Sequence, residues 1–421
     1  LTFVCFVVSL SAQQEAPFTF AITGARVVPV SSATLDNATV VFSGGVITAV
    51  GANVTVPPGA ITIAGKGMTV YPGLIDMGSS AGLEAPAIPR ADNPQTTEDI
   101  ERVKRETLMR AHLRAADYMN PSSAALAKAA ETGITAVLAT PGSDGIRGQS
   151  ALVLTSIGAD LPQIGALADD RRGSLVVRTP VALHVGIAGS PAGGDAYPNS
   201  LMGNIAFNRQ AFLDAQWYQQ AKSPTHSAAL DAMQPALAGR MPVAFRASTS
   251  RDVLRALDMA KMFKLDPIIT AARQVEDVTG EIKAANARVI YSLNFPTRRV
   301  SLAPDADESL SVLRDRANAP KGPSTLDKAG ILFAFESAGL PESKDFLKNA
   351  QKTVANGLSK DAAIKALTMN AATIAGASDR LGSLDKGKIA NVIVTDGDLF
   401  EEKTTIKYVF VNGRPVTLPG R

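Results

Sequence analysis

The chain has 421 residues, 46% hydrophobic and 19% charged, with Gly and Pro near ordinary usage. That is the composition of a globular protein of two or three domains, or of one large barrel with an addition. Lys and Arg number 42 against 39 Asp and Glu, a net +3, too even to make nucleic acid or an anionic membrane the main partner. One Cys and three His exclude a disulfide scaffold and nearly exclude a zinc site built from those two residue types.

The first ten residues, LTFVCFVVSL, form an apolar run followed by SAQQEAP. This resembles the end of a secretory signal over 1–12, cleaved near Ser11 or Ala12, and implies an exported protein, periplasmic or extracellular. The alternative is a buried first strand. The run is too short to span a bilayer by itself, so no membrane association is expected after its removal. Cys5 lies inside it, which leaves the mature chain without cysteine.

Residues 18–70 read as strands: FTFAITGARVVPV, ATVVFSGGVITAVG and AITIAGKGMTVY are β-branched runs divided by turn residues. Gly44-Gly45 marks a hairpin. Near the other end, ANVIVTDGD and KYVFVNGRPV have the same character, with Asn412-Gly413 as a second turn. The two ends therefore read as parts of one β unit. Between them, strand-like runs alternate with helical ones. ITAVLAT, LVVRTPVALHVG, MPVAFRA, DPIITAA, ARVIYSLNF and GILFAFES alternate with FNRQAFLDAQWYQQAK, SAALDAMQPALAG, TSRDVLRALDMAKMF, KDFLKNAQKTVANG and KDAAIKALTMNAATIAG. That rhythm predicts a parallel sheet, and residues 72–382 suffice for a (β/α)8 barrel. Asp92–Thr97 and Pro304–Pro323 read as long polar loops.

Two blocks carry a family likeness. VYPGLID stands at 70–76 and SDRLGSLDKGKIANVIVTDG at 378–397. With the β-rich ends and the barrel rhythm they resemble the amidohydrolase superfamily, and within it the imidazolonepropionase-like branch. The resemblance implies an α/β fold: a TIM-type (β/α)8 barrel over 71–382 and a small composite β-sandwich from 16–70 plus 383–421. It also implies hydrolysis of carbon–nitrogen bonds in cyclic amides, amidines or peptide-like substrates by water on zinc or a similar divalent metal. A dimer or other homo-oligomer is a family expectation.

The residues at the family's ligand positions are different. Gly78 and Ser80 stand where a His-x-His pair follows the PGLID block. Arg246 and Ser248 stand at the later His strand end, alanines follow Ile269, and the last strand's Asp falls on Glu336 or Ser337. Glycine has no ligating side chain, and a cation at a ligand position repels a metal. No metal ligand set and no cofactor is therefore expected, and zinc enters only if the family chemistry survives.

The barrel-mouth candidates are the polar residues at or near strand ends: Asp76, Ser80, His184, Arg246, Ser248, Asn294, Glu336 and Ser337. His184, in VALHVG, either faces the mouth or is a hydrogen-bonded structural residue. His112, in the helix-like ERVKRETLMRAHLRAAD, and His226, in a loop, read as surface residues. Arg246 and Glu336 could form an internal ion pair where the metal would be. Gly78–Gly82 matches G-x-S-x-G, the spacing of a nucleophile elbow, although the prolines that follow oppose the required helix. Asp169–Arg172 reads as a solvated turn. No phosphate loop or dinucleotide fingerprint is present.

Three functions remain open at this point. One is a C–N hydrolase with an unusual metal site. Another is an inactive, metal-free homologue that binds a small molecule or pairs with an active homologue. The third is a serine hydrolase using Ser80.

Overall fold

The computed structural model describes residues 18–86, 96–142, 145–155, 175–187, 198, 200–222, 224–298, 300–303 and 305–418. The leader, the Asp169–Arg172 cluster and Asp92–Gln95 lie outside the described residues.

Five strands open the chain: β1 (Thr19–Val27), β2 (Leu35–Ser43), β3 (Val46–Gly51), β4 (Ile61–Ala64) and β5 (Thr69–Pro72). Barrel strands follow: β6 (Leu74–Ser79), β7 (Ile134–Ala139), β8 (Ile146–Gln149), β9 (Ala151–Leu154), β10 (Val176–Arg178), β11 (Leu183–Gly186), β12 (Val243–Arg246), β13 (Pro267–Ala272), β14 (Arg288–Ser292) and β15 (Phe333–Glu336). The last strands are β16 (Val392–Thr395), β17 (Ile406–Val411) and β18 (Arg414–Pro415). The helices are α1 (Thr97–Leu108), α2 (Ala124–Glu131), α3 (Leu201–Gln220), α4 (Ala228–Leu237), α5 (Ser250–Phe263), α6 (Thr279–Ala284), α7 (Leu310–Asn318), α8 (Gly322–Lys328), α9 (Lys344–Ala355), α10 (Lys360–Leu367) and α11 (Met369–Ile374).

One eight-stranded sheet joins the two ends of the chain, in the order β18-β17-β16-β5-β1-β2-β3, with β4 on β1. The seam is antiparallel pairing of β16 with β5, Val392 opposite Pro72 and Thr395 opposite Thr69. The two hairpin turns touch. A Cβ on Gly45 would fall 2.6 Å from Asn412 Oδ1, and one on Gly413 would fall 3.0 Å from the Gly45 Cα. Both glycines have positive φ, so two separate needs, left-handed backbone and close approach, fix the same residue type. Beneath lie Phe20, Phe42 and Phe410, with ring centroids 4.9 to 5.5 Å apart. Their burial is the sheet's main apolar payload.

The middle of the chain is a TIM-barrel-like α/β unit. β11, β12, β13, β14 and β15 are parallel neighbours, and β6 pairs parallel with β7. β15 packs beside β6. Between β7 and β11 the ring departs from the expected parallel pattern. β9 runs antiparallel to β7 and β8 antiparallel to β11, the two being one segment broken at Ser150. The cause is length. Only 140–145 separate β7 from β8, whereas a parallel neighbour needs a crossover of about a dozen residues or more.

Two other expectations are corrected. The helix read through His112 ends at Leu108, and His112 sits in an exposed turn. Pro304–Pro323 is not one loop. It contains α7 and the start of α8, where Pro323 occupies the first turn. A proline there gives up an N–H that has no intrahelical partner anyway. No helix among the described residues is long and apolar enough to cross a membrane.

Candidate functional site

The first barrel strand delivers Asp76 and Gly78. Asp76 is 2% exposed and fully engaged. Its Oδ1 accepts from the Gly78 N–H at 3.1 Å and from the Ser337 N–H at 2.8 Å, and its Oδ2 accepts from the Ser337 hydroxyl at 2.5 Å. These bonds tie β6 to the end of β15. Burial raises the Asp76 carboxyl from 3.8 to about 6, against the lowering effect of all three donors.

Glu336, the last residue of β15, lies on Gly78. A Cβ at position 78 would fall 2.7 Å from Glu336 Oε2 and 2.9 Å from its Cβ. Glycine at 78 is therefore a requirement of the carboxyl beside it. Glu336 is 4% exposed. Burial, and then the nearby charge of Asp76, push its carboxyl from 4.5 up to about 8. The Ala271 N–H and the charges of Arg246 and Arg147 pull the other way. Glu336 is thus protonated at neutral pH while Asp76 is mostly ionised, an arrangement in which one chamber keeps two carboxyls in different states.

The donor at Ala271 depends on local strain. The β13–β14 register slips between Ile269 and Ala272, and Ala271 has φ +56°. An L residue there gives up about 1–2 kcal/mol relative to ordinary backbone. The Ala271 backbone N–H on this bulge is one of the influences that hold the Glu336 carboxyl down. At this position Ala271 presents its backbone rather than a polar side chain.

Arg246 ends β12 and is exposed. It forms no ion pair with Glu336 among the described residues, contrary to the internal pair expected from sequence. The physical reason is placement: Arg246 stands at the solvent end while Glu336 is buried. Two strands, β13 and β14, lie between them, and the register through Thr270, Ile268 and Ser292 puts Arg246 and Glu336 on the same face of the sheet.

His184 lies within β11 rather than at its end. It pairs in register with Ala244, and Gly186 pairs with Arg246. Registered partners in a parallel ladder share a face, so His184 lies on the Arg246 face one pleat deeper. It is 2% exposed, and its Nε2 has no hydrogen-bond partner among the described residues. The expectation of a hydrogen-bonded structural histidine therefore fails at this atom. Burial, and then the charge of Arg147, lower it from 6.5 to about 3, so the ring is neutral.

The remaining candidates sit around the rim. Ser80 is exposed in a turn after β6, and its carbonyl accepts from Leu83 N–H. No helix follows directly, so the nucleophile-elbow geometry is absent there. Ser248 is half-buried and its carbonyl accepts from the N–H groups of Arg273 and Gln274, joining the ends of β12 and β13. Asn294 packs against Gly339, where a Cβ would fall 2.5 Å from its Nδ2. Ser337 is occupied by Asp76. His226 is on the surface, paired with Asp231 at 3.0 Å. Arg147, absent from the sequence candidates, acts electrically on both Glu336 and His184. It sits in the short IRGQ strand, which has no strand-end signal of its own.

These residues do not fit a catalytic zinc. Among the described residues, no group of three or more His, Cys, Asp and Glu is placed to hold a metal ion. A catalytic zinc usually takes three protein ligands. Asp76 spends its oxygens on three donors, and Glu336 fills the space at Gly78.

Residues 274–416 match the amidohydrolase family model. That segment supplies β14, β15 and the returning strands of the end sheet. Among solved structures, an amidohydrolase from Thermotoga maritima MSB8 superposes with TM-score 0.77 at 21% identity, covering 95% of this chain and 100% of its own. A prolidase complexed with N-methylphosphonate-L-proline gives 0.56 at 18% identity, covering 95% and 100%. A putative prolidase from Bifidobacterium longum gives 0.56 at 17%, covering 96% of each chain. No curated protein matches the sequence. At these identities the likeness is one of fold, an amidohydrolase-like barrel with an additional domain.

Proposed function

We propose that this chain is an amidohydrolase-type barrel of the imidazolonepropionase-like branch that binds a small molecule at its mouth without a catalytic metal. In this reading the barrel spans 71–382, a composite β-sandwich comes from 16–70 and 383–421, and the protein is exported after loss of residues 1–12. The observation that carries the functional part is the Glu336 carboxyl packed on Gly78, in the space a side chain at 78 would need. Elemental analysis of the purified protein, before and after incubation with zinc, tests it together with turnover of dihydropyrimidine, imidazolone and dipeptide substrates. The expected result is substoichiometric metal and no chelator-sensitive turnover. Stoichiometric zinc with hydrolysis abolished by a chelator would overturn it.

One observation favours a second reading, C–N hydrolysis by acid–base chemistry without a metal. Asp76 and Glu336 are two buried carboxyls held in different protonation states, as in sites that divide acid and base roles. That reading expects turnover that survives a chelator and is lost in Glu336→Gln. Pairing with an active homologue would instead appear as a stable complex on co-expression of the two chains.

A further inference from the structure

The mouth contains a cation without an anion. Arg246 is exposed on the interior face at the end of β12 and has no ion pair among the described residues. Below it on the same face lies the His184 imidazole, almost fully buried and with Nε2 unpartnered. A buried polar atom without a partner is costly to keep, so its retention on this face points to something it meets there. At the end of β15, on the same sheet face, is Glu336. The Ala271 backbone, at φ +56°, is beside its carboxyl, and in its protonated form Glu336 has a proton to donate. Asp76 is the chamber's buried negative charge, and its three donors keep it from serving as an acceptor for much else.

We infer that the mouth binds a small organic monocarboxylate, held by the Arg246 guanidinium at the rim, with the Glu336 carboxyl and the His184 imidazole lining the chamber below. The chemistry selects this class in three ways. A guanidinium at an open rim suits a planar carboxylate, which it can grip through two parallel N–H bonds. A carboxyl that carries its proton donates to a carboxylate and would be repelled in its ionised form. The fixed charge of Asp76 disfavours a dianion. The neutral His184 ring and Ala244, in register with it on β12, suit an uncharged, partly apolar tail. The inference rests on the metal-free ligand-binding reading above.

The test uses the full-length protein and four probes: acetate and benzoate, with acetamide and benzamide as neutral isosteres. Inorganic phosphate is the competing anion. Calorimetric titration should give saturable binding for the carboxylates, tighter for benzoate, and none for the amides. Arg246→Gln should weaken benzoate about tenfold or more, Arg246→Lys less, and Arg414→Gln, an exposed residue of β18 in the eight-stranded sheet, not at all. Because Arg246 is exposed, Arg246→Gln is expected to unfold at the wild-type temperature, which separates lost binding from lost fold. Equal binding of amides and carboxylates, or unchanged binding by Arg246→Gln, would overturn the inference. So would phosphate binding as tightly as benzoate. Metal content and chelator-sensitive turnover report separately on the underlying reading. A metal-free, inactive protein that ignores carboxylates defeats only the ligand class.

Discussion

The end sheet and the barrel mouth obey opposite rules. In the sheet, local preference and packing agree: β-branched strands, glycine turns that meet face to face, and three phenylalanines in one cluster. In the mouth they conflict. Two carboxyls are buried together, an imidazole nitrogen lacks a partner among the described residues, and an alanine is held at positive φ. Local preferences that agree with the fold are what makes a sequence fold, and departures from that agreement gather where a chain does something else. In this molecule those departures gather around Asp76, His184, Ala271 and Glu336.

The largest expected effect lies in the sheet. Phe410→Ala, at a residue 1% exposed, should lower unfolding free energy by about 3–5 kcal/mol in urea denaturation. Ligand binding at the mouth should be preserved wherever the protein remains folded. A smaller loss would mean that the sheet is not the stabilising half of the comparison.

Gly78→Ala attacks the mouth by adding one methyl group against the Glu336 side chain. A destabilisation of about 1–3 kcal/mol is expected. Combining it with Glu336→Ala should recover part of that loss, measured as a double-mutant coupling. Strict additivity of the two changes would show that position 78 and Glu336 are not in contact.

The third comparison is pH dependence. Glu336 rises from 4.5 to about 8 on folding, so between those values the native state holds a proton that the unfolded chain has lost. Stability therefore falls as pH rises through that window. Asp76 acts the same way from 3.8 to about 6. His184 acts oppositely: between about 3 and 6.5 the unfolded chain binds the extra proton, so stability rises with pH. The two trends oppose each other in the acid range and leave a clean decline from pH 6.5 to about 8 that belongs to Glu336. Urea midpoints across that interval should decline in the wild type and stay level in Glu336→Gln. A slope retained in the variant would assign it to another group.

Ala271→Gly is the smallest expected effect. Glycine accepts φ +56° without strain, so the variant should gain up to about 1 kcal/mol, less whatever the more flexible unfolded chain takes back. A clear loss of stability would mean that the alanine methyl packs better than its backbone suffers.

Much of the framework is legible in the residues. Gly44-Gly45 and Asn412-Gly413 mark turns because few other residues accept their backbone angles, and the alternating runs mark strands because side-chain period follows from pleat geometry. Gly78, Ser80 and Arg246 are visible as residue types poorly suited to binding a metal. The antiparallel β8–β9 stave is signalled only by the shortness of 140–145, a constraint on connection length that no local pattern displays.

The sequence by itself thus determined the barrel rhythm, the β-rich ends and the residue types at Gly78, Ser80 and Arg246, because periodicity, turn chemistry and side-chain type are local properties. Tertiary structure alone decided that Glu336 lies on Gly78, that Arg246 reaches solvent instead of pairing with it, and that Ala271 donates through a strained bulge. It also decided that His184 is buried with an open nitrogen and that Arg147 acts on it from β8. Each of these depends on which residues from distant parts of the chain share a low-dielectric chamber. Both the charge state of a carboxyl and the value of an unpaired donor or acceptor are set by those neighbours rather than by the residue itself.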